Sequence, residues 1–165
     1  MPIQGDHGGA APAPKFLRAT TIDQSAQSAT YAAVPFDTVI ENEAGLKFGL
    51  DVSTNLGRIT VGEAGVLRVR ANAVFENTDA MNGATVDLRI VRDPVGTPEA
   101  LDHATQDIAP STGAEVGTLE VNSMFEVEAA DVIEVQLAST DTDVELFAYN
   151  DTPSAHLVVE WFPAP

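Results

Sequence analysis

Apolar and polar residues alternate almost without interruption through the last third of the chain. Residues 116–127 read VGTLEVNSMFEV, 131–138 DVIEVQLA, 144–150 VELFAYN and 155–162 AHLVVEWF. Successive side chains of a strand point to opposite faces, so this period of two predicts half-buried β-strands. The turns Glu128-Ala129-Ala130 and Ser139-Thr140-Asp141-Thr142-Asp143 separate the first three. Upstream, strands are predicted over 30–36 (TYAAVPF), 46–52 (LKFGLDV) and 58–61, with Pro35 marking an edge or terminal piece. The longest upstream run is 66–76, where Leu67, Val69, Ala71, Ala73 and Phe75 share one face and Arg68, Arg70 and Asn72 the other. Asn82-Gly83 reads as a hairpin turn leading into a strand over 84–92, with Val86, Leu88 and Ile90 inward. Residues 93–113, with Pro94, Pro98 and Pro110, read as one long irregular loop, and 100–104 as one helical turn at most. Many short strands joined by turns predict an all-β antiparallel sandwich or barrel.

The beginning of the chain is different material. Residues 1–19 hold a run of small residues, several prolines and no periodicity, so they read as an extended N-terminal arm. Residues 20–165 then form one β domain, long enough to build a stable core. The chain has no cysteine, which excludes disulfides, thiolate metal sites and cysteine nucleophiles. That fits the reducing cytosol, or a particle assembled there and later released. No stretch of about 18 apolar residues predicts a membrane span. The opening MPIQGDHGGAAPAP also lacks the charged-then-apolar order of a signal peptide. Asp and Glu number 25 against 8 Lys and Arg, a net charge of -17, which repels phosphate and anionic lipid. Neither nucleic acid nor membrane is therefore expected as a partner. The acids are spread along the strands as a solvated, solubilising face.

The order of the strands resembles the C1q/TNF-like jelly roll. That family carries a strand of the type F-x-V-x-x-x-G-x-Y-x-V-x-A-x-V-x-F. Residues 58–75, RITVGEAGVLRVRANAVF, follow it, with Ile59 for the Phe and Leu67 for the Tyr. The family's later turn and alternating strand match 125–135, FEVEAADVIEV, with Ala130 in place of the usual Gly. Its closing apolar run is matched loosely by 154–162, SAHLVVEWF, without the Phe and Gly. The resemblance covers about 30–162 and implies an antiparallel jelly-roll sandwich that assembles as a homotrimer. Many bacteriophage structural proteins carry such domains.

A catalytic constellation is missing from the sequence. His7, His103 and His156 fall in the arm, the long loop and the last strand, without HxH or HxxxH spacing. No Gly-x-Ser-x-Gly elbow and no phosphate-cradling loop is present, so no enzyme, cofactor or metal site is predicted. Asp141 and Asp143 read as a solvated acidic turn, with calcium ligation as the alternative. Arg68 and Arg70, with Arg89 and Arg92 on what reads as a neighbouring strand, form the one basic concentration. They read as cross-strand partners of Asp87 or Glu76, or as partners of acids across a subunit boundary. The trimer-interface residues implied are Arg68, Arg70, His156 and Val158. Arm, resemblance and missing chemistry together predict a virion protein made in the host cytoplasm. It would decorate and stabilise a capsid, with the major capsid protein as partner and Ile3, Gln4, His7, Pro12, Pro14, Phe16, Leu17 and Arg18 as the contact residues. The alternative is a receptor- or glycan-binding fibre module presented on loops.

Overall fold

The computed structural model describes residues 13–22, 27, 29–78, 82–95, 97–110, 113–150 and 152–164. Among them no helix forms. The strands are β1 (Lys15–Thr21), β2 (Ala32–Ala33), β3 (Thr38–Asn42), β4 (Phe48–Asp51), β5 (Arg58–Val61) and β6 (Gly65–Asn77). They continue with β7 (Ala84–Arg92), β8 (Glu99–Ile108), β9 (Glu115–Val127), β10 (Val132–Ser139), β11 (Val144–Leu146) and β12 (Ala155–Pro163).

Two antiparallel sheets result. In the first, β9 borders β6; the other side of β6 is shared by β11 and β12; then come β1 and the edge strand β3. In the second, the order is β4, β5, β10, β7, β8, and β2 continues the line of β5 along β10. The alternation of β6 is what welds the sandwich: Leu67, Val69, Ala71, Ala73 and Phe75 are buried and meet Ile59, Leu88, Ile90, Ile133, Val135 and Leu137 from the opposite sheet in one core. Gly117 permits one of the close approaches in the sandwich. A Cβ on Gly117 would stand 2.4 Å from Cζ of the Phe75 ring, so only glycine lets that ring lie against β9.

Four sequence expectations are corrected. The arm does not reach residue 19: Lys15–Thr21 is a strand held between β12 and β3, with Leu17 and Ala19 in the core. Its inward row holds only two apolar residues, Leu17 and Ala19, and follows prolines, which concealed it. The segment 30–36 contributes only the two residues of β2, which pair with Gln136 and Leu137 of β10 beyond the end of β5. Asn82-Gly83 makes no hairpin. The strand before it pairs with β9, β11 and β12, whereas β7 pairs with β8 and β10, so the chain crosses between sheets there. Finally, residues 93–113 are not one loop: Glu99–Ile108 is β8, paired along β7, with no helical turn. Two polar residues hid this strand. Asp102 and Gln106 sit on its inner rows opposite Ile90 and Val86. From there Asp102 Oδ2 accepts the backbone N–H of Asn122 on β9 at 3.0 Å. A polar inner face is tolerable because β8 is an edge strand, and this bond caps part of the exposed edge of β9. The portion of the arm at residues 1–12 lies outside the described residues.

Candidate self-association face

The two outer faces of the sandwich differ in kind. On the second sheet, β10 presents Glu134 and Gln136 outward, yet both are buried. Arg58 donates from Nε and Nη2 to Glu134 Oε2 at 3.1 and 3.0 Å, and Gln136 Nε2 donates to Glu134 Oε1 at 2.7 Å. Arg89 donates to Gln136 Oε1 at 3.0 and 2.7 Å and lies over the Tyr31 ring, 3.4 Å from its centroid. Next along the sheet, Thr105 donates to Asp87 and Thr85 to Asp107. These eight side chains, Arg58, Glu134, Gln136, Arg89, Asp87, Thr105, Thr85 and Asp107, are partnered on their own sheet, so this part of the face gains little from covering.

The outer face of the first sheet is looser and partly apolar. Pairing register places Met124, Arg68, Glu160 and Phe16 in one row across β9, β6, β12 and β1. The next row is Asn122, Arg70, Val158, Arg18 and Glu41; the third is Glu120, Asn72, His156, Thr20 and Thr38. Arg68 Nη1 stands 3.4 Å from Glu160 Oε2, and its Nε donates to Asn122 Oδ1 at 3.2 Å. Arg70 is 3.9 Å from Glu120 and Arg18 is 3.7 Å from Glu41, all four well exposed. Exposed pairs of this length contribute only about 0.2–1 kcal/mol each, so these cations can exchange partners at little cost. Met124 is 57% exposed, and Phe16, Val66, Val158 and Phe162 are half-buried elsewhere on the same face.

The four residues proposed from sequence for an interface, Arg68, Arg70, His156 and Val158, therefore lie on one face and in adjacent rows. Phe16 and Arg18, assigned from sequence to the arm, lie on the same face. Leu17 points the other way and is 2% exposed, which removes it as a contact residue. Arg89 and Arg92 are corrected too: they belong to β7 in the opposite sheet, so the basic concentration is two groups, not one. Asp87 and Glu76 are not the arginines' partners; Asp87 accepts from Thr105, and Glu76 stands directly opposite Glu145 of β11.

The remaining sequence candidates do not converge. His103 on β8 and His156 on β12 are exposed on different sheets, and His7 lies outside the described residues. In the acidic turn, Asp141 Oδ1 accepts the Asp143 N–H at 3.0 Å, and Ser139 Oγ accepts the Asp141 N–H at 3.1 Å. Among the described residues no three His, Cys, Asp or Glu side chains are grouped to hold a metal. One carboxylate that sequence reading passed over is electrostatically distinct. The backbone N–H groups of Thr54, Ser53 and Asn55 converge on Asp51 and hold its carboxyl far below the usual range. Its work is local, closing the turn that ends at Gly57.

By sequence, no protein-family model and no curated protein matches the chain. By structure it is similar to murine APRIL. The crystal structure of that protein at pH 5.0 superposes with a TM-score of 0.65 at 13% identity, covering 91% of this chain and 100% of the other. Those at pH 8.5 and pH 8.0 give 0.64 and 0.62 at 11% identity, with the same coverage. The fold is a TNF-like jelly roll. At this identity the likeness carries the architecture alone, and the jelly roll has no built-in chemistry.

Proposed function

We propose that the chain is a structural, non-enzymatic virion protein that forms a homotrimer through the outer face of its first sheet and decorates a capsid. The observation that carries the self-association is the contrast between the two faces: one internally satisfied, the other apolar in patches and held by weak ion pairs. Charge favours a head-to-tail contact. Every Lys and Arg lies between Lys15 and Arg92, and none follows. Two identical faces meeting would set Arg18, Arg68 and Arg70 against their own copies. A contact with the cation-free edge formed by β8 and the adjoining start of β9 of a neighbour would offer them exposed Glu115 instead. Heterologous contacts of that kind close into rings, and the family resemblance supports a ring of three.

Residues 1–14 supply the second half of the proposal. Ile3, Gln4, His7, Pro12 and Pro14 would contact the major capsid protein, and three such arms on one trimer would bind by avidity. The virion surface is accordingly the proposed location, after assembly in the host cytoplasm. A second reading has one observation in its favour: Tyr149, 65% exposed and stacked on Phe147 with ring centroids 6.3 Å apart, offers an aromatic surface for a receptor or glycan.

Light scattering of the purified chain should give about 52 kDa, three times 17.4 kDa, and Arg70→Glu should lower that mass. Removal of residues 2–14, stopping short of β1, should leave the trimer intact while abolishing co-sedimentation with undecorated capsids. A wild-type monomer would overturn the assembly. A trimer that ignores capsids but binds cells or glycans through Tyr149 would replace decoration with the second reading.

A further inference from the structure

We propose that the Asp93–Pro94 bond is a built-in self-cleavage site, strained by the fold and severed by the side chain of Asp93 itself. This goes beyond the assembly role and does not depend on it. Asp93 is the only aspartate followed by proline in the chain. It has φ +50°, a left-handed conformation. Two steric effects oppose that geometry. A Cβ is crowded at positive φ, and the ring of a following proline pushes the preceding residue towards extended conformations. The surrounding structure imposes it anyway. The Asp93 N–H donates to the Val132 carbonyl at 2.9 Å, and Arg92, just before it, pairs with Ile133 on one side and Glu99 on the other. The chain thus leaves β7 after Arg92 and re-enters the sheet at Glu99, opposite Arg92, and Asp93 takes the bend.

Water has access from two sides. Asp93 is exposed and lines both a cleft of about 740 Å³ at the end of the sandwich, with Arg92, Glu99 and Glu128, and a second of about 380 Å³ beside Pro94 and Val95. The chemistry uses only the residue and water. The Asp93 carboxylate attacks its own main-chain carbonyl carbon, forming a new C–O bond. The bond to Pro94 N breaks, and that nitrogen takes a proton from solvent and leaves as a secondary amine. The five-membered anhydride left on Asp93 is opened by one water into two carboxyl groups. Nothing is oxidised or reduced, and one water is consumed overall. Scission removes the clash with the proline ring, so strain of about 1–3 kcal/mol is relieved on the way to products.

The nicked protein should hold together, because β7 and β8 stay paired from Ala84↔Ile108 to Arg92↔Glu99. The test is incubation of the full chain at pH 4.5, with circular dichroism confirming the fold, followed by denaturing mass spectrometry. Fragments 1–93 and 94–165 should accumulate about tenfold faster from the folded protein than from the same chain in urea, a ratio equivalent to about 1.4 kcal/mol. They should still co-elute under native conditions. Asp93→Gly, which accepts the positive φ but has no carboxylate, and Pro94→Ala, which keeps the carboxylate but removes the ring, should each abolish the pair. Equal or faster cleavage in urea, or no fragment pair at all from the folded wild type, would overturn the proposal.

Discussion

Replacing Ala130 with glycine should stabilise this protein. Ala130 sits in the turn between β9 and β10, where the chain crosses from one sheet to the other, and its φ is +76°. The turn leaves it no choice. Its N–H donates to the Val61 carbonyl at 2.8 Å, and the Asp131 N–H reaches back to the Glu128 carbonyl at 3.2 Å. Asp131 closes the turn from the other side, its Oδ2 accepting the Glu128 N–H at 3.0 Å. A left-handed conformation costs an L-residue with a Cβ about 1–2 kcal/mol. Glycine avoids that cost but loses about 0.5–1 kcal/mol more backbone entropy on folding than alanine. The methyl is exposed, so no packing is forfeited. The difference leaves a net gain of about 0.5–1 kcal/mol for Ala130→Gly. In urea this should move the unfolding midpoint up by a few tenths molar with the slope unchanged. Thermal midpoints should rise by about 2 °C at equal protein concentration, which matters if unfolding is coupled to dissociation. Ala130→Val should move both in the opposite direction, since a β-branched side chain fits positive φ still less well. An Ala130→Gly midpoint equal to or below wild type would refute the claim that this turn is strained.

Three other outcomes follow from single contacts. Gly117→Ala places a methyl where Phe75 Cζ and Cε2 stand at 2.4 and 2.5 Å, and should cost about 1–3 kcal/mol by denaturant titration, partly recovered by Phe75→Leu. Arg58→Ala strands the buried Glu134 carboxylate with Gln136 alone, and should cost about 2 kcal/mol, whereas Arg58→Ala with Glu134→Gln should recover part of it. Asp51 has its folded-state carboxyl lowered from 3.8 by backbone N–H groups, Thr54 first, so its contribution is present above that value and fades as pH falls below it. Asp51→Asn should therefore flatten the acid limb of the stability profile while changing it little in shape near neutrality; an unchanged acid limb would count against the assignment.

Much of the β architecture could be read from the chain because burial and side-chain period are coupled locally. Residues 58–61, 66–76, 116–127 and 131–138 alternate cleanly and lie in or largely within the strands β5, β6, β9 and β10. Even the interface candidates Arg68, Arg70, His156 and Val158 were placed on the outward positions they occupy, since alternation alone settles which way a residue points. What local pattern cannot carry is which strands pair, because hydrogen bonding in a sheet joins residues far apart in sequence. Only the tertiary structure parted Arg89 and Arg92 from Arg68 and Arg70, by putting β6 and β7 in opposite sheets. Only it turned Asp102 and Gln106 inward on β8, where an edge position makes polar inner residues tolerable. It also drew Lys15–Thr21 out of the arm, since that short run becomes a strand through the partners β12 and β3 on either side. Ala130 joins the two levels: the family pattern puts glycine at its position, and the crossing between sheets supplies the reason, a backbone bent into the region that glycine alone enters without strain.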